Sequence, residues 1–420
     1  MMKAKISCFL LALLVLGCGG SDDDSPNNTN NPPPFTPTEM DPKPVSKTEN
    51  AKIYVHLMPW FETPETNGGN WGSHWKMANK NPNVVVDAST GKRQIASHYY
   101  PLIGPYASSD MDVVEYQLLL MKLSGIDGVL IDWYGTINLY DYPANLRNVE
   151  AFTSLMDKVG LQYAIVYEDQ TIKAALDAAK ITDGVAAAKA DMNYMQTKYF
   201  NDVDYIKISG QPLLLTFGPQ YFQSSAAWTD VFSVLTPKPR FFTLWNESAE
   251  AGSNASGEYA WVYQNTTPHL DHLDNFYNKT FSGLRIGSAY PGFNDYYQEG
   301  GWGDGYFVIE HDGIETFKTT LKKALDHTDY VQLVTWNDYG EGTMIEPTME
   351  FGYSFLTLLQ TTLGVVMTED DLKLVARLYA LRKANKNSVQ KQKKLDQVFY
   401  YLVSLELDDA RLLMDEVETE

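Results

Sequence analysis

Residues 330–347 read YVQLVTWNDYGEGTMIEP. Val331, Leu333, Val334, Thr335 and Trp336 are β-branched, apolar or aromatic, and the spacing predicts a buried strand over 331–336. That strand runs straight into Asn337, Asp338, Tyr339, Gly340, Glu341 and Gly342. In a parallel α/β barrel the C-terminal end of a strand is the face where chemistry is done. Two carboxylates, Asp338 and Glu341, three residues apart at such a place suit general acid/base work on a glycosidic bond. The competing reading is a plain turn, with Asn337 and Asp338 capping backbone groups.

The surrounding sequence decides between them. Strand-like runs fall at 52–58, 126–134, 161–167, 211–217, 240–245, 259–263 and 284–289, and helical spacing at 111–124, 149–159, 172–200 and 314–327. Eight strands separated mostly by helices predict an α/β fold, a (β/α)8 TIM-like barrel over 48–365. Leu372, Val375, Leu378, Leu395, Val398 and Leu402 predict a helical C-terminal extension, 366–420, packed on that barrel. The strand ends repeat one theme: Asp132-Trp133-Tyr134, Tyr167-Glu168-Asp169, Trp245-Asn246-Glu247, then Trp261 and Tyr263, then Asn337, Asp338 and Glu341. Aromatic faces stack on the C–H faces of pyranose rings, while acids bind hydroxyls and move protons. His56, on the first strand, reads as a core histidine.

Residues 1–17 combine Lys3 and Lys5 with an apolar run too short for a membrane span, as in a signal peptide. The run ends Val15-Leu16-Gly17-Cys18, which resembles a bacterial lipobox, so Cys18 is the expected lipidation site. An acidic run follows, Asp22-Asp23-Asp24, resembling the export signal of surface lipoproteins. The Pro- and Asn-rich stretch completes a linker over 18–47, expected to be disordered. The expected location is therefore the outer membrane, surface-exposed and held by a lipid anchor alone. The formal charge of −20 disfavours nucleic acid and anionic membrane surfaces, which leaves a neutral polysaccharide or oligosaccharide as the expected partner of a monomer. Both cysteines precede residue 20, so the body has no disulfide or cysteine metal site, and the chemistry calls for no metal or cofactor.

Several segments are similar to glycoside hydrolase family 99, the endo-α-mannosidases and endo-α-mannanases: IASHYYPLIGPYASSD at 95–110, MPWF at 58–61, the run 125–134, PGFND at 291–295, and NDYGEGTMIEP at 337–347. The resemblance covers most of 51–350. It implies that Glu341 is the general acid/base, and that Asp338 stands where the family has a Glu that deprotonates the sugar's own 2-hydroxyl. It further implies Glu168 as a substrate-binding acid, Trp133 as a subsite tryptophan, and Tyr54 and Tyr263 as rim tyrosines. His98, in the matched loop, is a candidate for sugar binding, as is Asn337. Asp132 would bind substrate or orient Trp133. Asp at 338 departs from family 99 and resembles family 71, the inverting α-1,3-glucanases, so mannan and α-glucan both stand as expected substrates. Competing readings are a non-catalytic glycan-binding lipoprotein and a hydrolase of another hemicellulose such as xylan.

Overall fold

The Val-, Ile- and Leu-rich runs pair into one sheet because each is buried on both faces, the condition of a parallel barrel strand. A computed structural model describes residues 34–420; the signal at 1–17, Cys18 and the acidic run lie outside the described residues. The barrel strands are β1 (Lys52–Leu57), β2 (Gly128–Trp133), β3 (Gln162–Tyr167), β4 (Gln211–Thr216), β5 (Arg240–Leu244), β6 (Ala255–Tyr259), β7 (Leu284–Ala289) and β8 (Tyr330–Leu333). Each pairs in parallel with its neighbours, β1 with β8 closes the ring on one side, and β3 with β4 completes it. This is a (β/α)8 barrel.

The helices that coat it include α1 (Met111–Leu123), α2 (Tyr142–Thr153), α3 (Gly184–Met195), α4 (Ser225–Val231), α5 (His269–Asn278), α6 (Glu315–Leu325) and α7 (Ser354–Leu363). Asp110 caps α1 by accepting the Asp112 N–H, and Gly125 turns the chain at φ 82° into β2. Beyond the barrel come α8 (Glu369–Ala384), α9 (Val389–Val403) and α10 (Leu407–Thr419). A capping box of Thr368 and Asp371 starts α8. That helix packs on α1, where Arg382 makes a two-pronged ion pair with Glu115 at 2.7 and 2.8 Å, both side chains buried. Among the described residues no helix is long and apolar enough to cross a membrane.

Two expectations are corrected. The sixth strand is 255–259, not 259–263. Ala-Ser-Gly-Glu carries no strand signal, but the register needs a residue without a side chain there: a Cβ on Gly257 would lie 2.3 Å from the Phe242 ring of β5. The expected disordered linker also ends early. Residues 36–47 belong to the same unit as the barrel and lie extended against α9 and the lower end of the barrel. Thr38 N–H donates to Gln397 and Lys43 N–H to the Val403 carbonyl, while the Lys122 ammonium donates to the Lys43 carbonyl at 2.7 Å. Lys47 and Lys52 then pair with Asp127, at the N-terminal end of β2.

Candidate active site

The loop after β8 is held from beneath before it presents anything. Asn337 is completely buried; its amide accepts from Met58 N–H (2.9 Å) and donates to the Met58 carbonyl (3.0 Å) and the Tyr106 hydroxyl (3.1 Å). It clamps the end of β1 to the end of β8. The Thr335 hydroxyl accepts the Asp338 N–H at 2.8 Å and meets the Thr343 hydroxyl at 3.0 Å. Below them Glu346 accepts from Tyr106, Gln117, Trp336 and Tyr339. Gly342, at φ 68°, closes the turn where a Cβ would lie 2.7 Å from the Asn294 carbonyl.

On this frame Asp338 and Glu341 lie close enough for the charge of one to act on the other. Asp338 is buried, and its Oδ1 accepts the Glu341 N–H at 3.0 Å. Glu341 Oε1 accepts from the Tyr297 hydroxyl at 3.2 Å. A second pair completes the set: Asp132, from the end of β2, and Glu168, just after β3, are near enough for each to act on the other's ionisation. The buried Oδ2 of Asp132 has no hydrogen-bond partner among the described residues. No lysine or arginine pairs with any of the four in the described structure.

The electrostatics follow from that. Burial pushes Asp338 up to about 7, against backbone N–H groups that favour its charged form. Burial and then the neighbouring Asp338 charge drive Glu341 well above the usual carboxylate range, against the Tyr297 bond. Burial raises Asp132 and Glu168 well above it too, with Asp338 acting on Asp132, and Asp132 and Asp169 on Glu168. The row can therefore hold protonated and ionised carboxyls side by side at neutral pH, as glycosidic cleavage requires.

A cleft of about 560 Å³ opens beside the row. Glu168 lines it, as do Tyr134, Asp141, Phe217, His74 and Trp302. Of the four acids Glu168 alone lines this cleft; Trp302, which also lines it, stacks on Tyr297, whose hydroxyl reaches Glu341. His74 stacks on Trp60 at 4.2 Å and bonds Asp141 at 3.4 Å. Burial works against Asp141, yet His74 holds its carboxyl below the usual range.

The expected site residues divide. Asp338, Glu341, Asp132 and Glu168 come together. His98 sits nearby on the loop contacts that flank Glu341, bonded to the Asp295 carbonyl and edge-on to Tyr296. Trp133 is no subsite tryptophan: it is wholly buried among Tyr167, Tyr194 and Tyr199. Alternation along β2 turns Asp132 to the site and Trp133 to the helices. Tyr54 is no rim tyrosine: it is buried near the N-terminal end of β1, stacked on Tyr330. Asn337 is a buried clamp, with its amide turned to Met58 and Tyr106 rather than to a ligand. Tyr263 is on the rim and 42 % exposed, but it lines a second cleft. His56 is buried in the barrel, edge-on to Trp261, and burial pushes its imidazole down to about 3. Tyr297, Asp141 and Trp302 had no individual signal; Tyr297 meets Glu341 across 44 residues, and only its place just after PGFND pointed to it.

Comparison with known proteins follows the same lines. No family model matches the chain. The GH99 endo-α-mannosidase structure from Bacteroides thetaiotaomicron superposes with a TM-score of 0.58 at 18% identity, covering 78% of this chain and 99% of that one. At that identity the likeness is one of fold. Glycoprotein endo-α-1,2-mannosidase-like proteins of Mus musculus and Danio rerio are each 26% identical, over 108 and 88 residues. The matched stretches cover 23% and 20% of this chain, and the chain spans only about a fifth of the length of these curated relatives. The resemblance to α-1,3-glucanases has no counterpart among these proteins and rests on Asp338.

Proposed function

We propose that the chain is a glycoside hydrolase that cuts α-linked glycans, with mannan first among its substrates. The observation that carries this reading is the asymmetry of the Asp338–Glu341 pair: one acid takes backbone N–H groups that favour its anion, and the other is raised further by that anion. Glu341 then supplies the proton to the leaving glycosidic oxygen. Asp338 serves as the base, toward water or the sugar's own 2-hydroxyl. Asp132 and Glu168 share a proton and bind hydroxyls of the sugar held between the pairs. The barrel rim, the cleft and the similarity in fold to endo-α-mannosidases all support this assignment over simple binding, for which a coupled acid row would be superfluous. Anchoring through Cys18 at the cell surface belongs to the same proposal, because it would expose the cleft to polymer.

The test is hydrolysis of α-mannans, α-glucans and xylan by the protein, beside Asp338→Asn and Glu341→Gln. Release of sugar from an α-linked glycan, lost in both variants, is expected. Cleavage of xylan alone would overturn the substrate class, and undiminished cleavage in both variants would overturn the acid assignment. Binding of a glycan without cleavage by the wild type would replace catalysis with recognition.

A further inference from the structure

A second cleft, of about 580 Å³, lies on the same rim and is as large as the one beside the acids. It is built from the loops after β5 and β6 and from α5: Trp245, Glu247, Tyr263, His272, Asn275 and Lys279 line it. Its walls are fixed. Asn246 adopts φ 67°, a left-handed turn that sets Trp245 and Glu247 on either side of it. The turn is pinned by Asn246 N–H donating to Glu258 at 3.0 Å and by Lys279 donating to the Asn246 side chain at 3.1 Å, with Lys279 also paired to Glu258. Phe276 meets Trp245 edge-on at 5.8 Å, and His272 meets Tyr263 edge-on at 5.0 Å while bonded to Asn265. Tyr263 stays partly exposed, and Glu247 has neither an ion-pair nor a hydrogen-bond partner in its side chain among the described contacts. Lys279, the cation of this cleft, is committed to Glu258.

We infer that this cleft is a further subsite for a neutral pyranose unit of the same glycan chain whose scissile bond lies over Asp338 and Glu341. Aromatic walls, a free carboxylate, an amide and no spare positive charge are the recognition chemistry of an uncharged, hydroxyl-rich ring. Continuity with the acid cleft is structural. Phe217, which lines the first cleft, is followed by Gly218, whose carbonyl accepts the Leu244 N–H at 2.8 Å, and Leu244 lines the second. The two clefts therefore have lining residues at the ends of adjacent barrel strands, β4 and β5. The identity of the ligand rests on the hydrolase proposal; the existence of the subsite rests on the cleft.

The test uses Glu341→Gln protein, which holds substrate uncut, titrated calorimetrically with α-linked mannose oligosaccharides of two and of six units and the matching α-linked glucose pair. The six-unit chain of one series is expected to bind more tightly than its two-unit chain, one per protein. Adding Trp245→Ala should remove about tenfold of that gain and leave the two-unit affinity unchanged. Glu247→Gln and Asn275→Ala, both on polar walls, should each remove part of it, which guards against a folding defect in the tryptophan variant. A six-unit chain that binds no better than a two-unit chain, or a gain that survives all three substitutions, overturns the subsite. Two six-unit chains per protein overturn the shared-chain arrangement. A wild type that cuts nothing while the length-dependent gain is lost in Trp245→Ala would sink the hydrolase proposal and leave the subsite standing.

Discussion

Two groups of buried carboxylates sit in this barrel, and they are solved in opposite ways. Outside the row of four, each of these acids is matched. Glu115 has Arg382, Glu62 has Arg147 and Asn148, Asp169 accepts three successive backbone N–H groups from Gln220, Tyr221 and Phe222, and Glu346 has four side-chain donors. In the row, Asp132 and Glu168 have chiefly each other, Asp338 has backbone N–H groups and Glu341 one tyrosine hydroxyl, and none of the four has a cation. Unmatched buried charge is destabilising, so a fold that keeps it in one place marks where chemistry is worth more than stability.

The contrast can be broken at either group. Glu341→Gln should lower kcat by roughly a thousandfold, the range expected for losing a general acid, and leave the thermal midpoint unchanged or higher. Glu346→Ala should do the reverse in kind: four buried donors lose their acceptor, at a loss of at least about 3 kcal/mol measured by urea unfolding. A similar midpoint in both variants would mean that the two groups are not different in role.

A pH series sharpens the comparison. The Asp338 carboxyl is raised from 3.8 to about 7, so the folded state holds its proton longer than the unfolded state. The destabilisation is then absent below about pH 4 and grows as pH rises through 7. Asp338→Asn lacks it. The thermal midpoint of that variant minus the wild type should be near zero at pH 4 and positive at pH 8. In activity, the acid limb of kcat/KM should sit near pH 7 rather than in the ordinary carboxylate range, because under the proposed roles Asp338 must ionise to act as base. The smallest effect is expected at Trp133→Phe: a loss of about 1–2 kcal/mol in stability from imperfect repacking, with KM unchanged. A large change in KM there would return Trp133 to the binding site.

Most of the barrel was legible because seven of its strands are apolar runs ending in turn residues. The sixth was not, since Ala255, Ser256, Gly257 and Glu258 are placed by their neighbours: Gly257 by the Phe242 ring, Glu258 by Lys279. The grouping of acids at the ends of β2, β3 and β8 was legible because strand order in a parallel barrel brings those ends to one rim. Trp133 was misread although the information was present. Once Asp132 faces the site, period-two alternation turns the next residue away. Asn337 was misread because an Asn beside acids looks the same whether its amide points at sugar or at the Met58 backbone, and Tyr297 depends on a contact that no local pattern encodes.

The extended segment 36–47 has one more consequence. Pro42 lies against Gly160, Lys43 meets Lys122, and Lys47 meets Asp127, all where the chain is about to enter the barrel strands. The segment therefore meets the barrel near the N-terminal ends of its strands. A force applied at residue 36 would load that end of the barrel, opposite the strand ends that carry the acids.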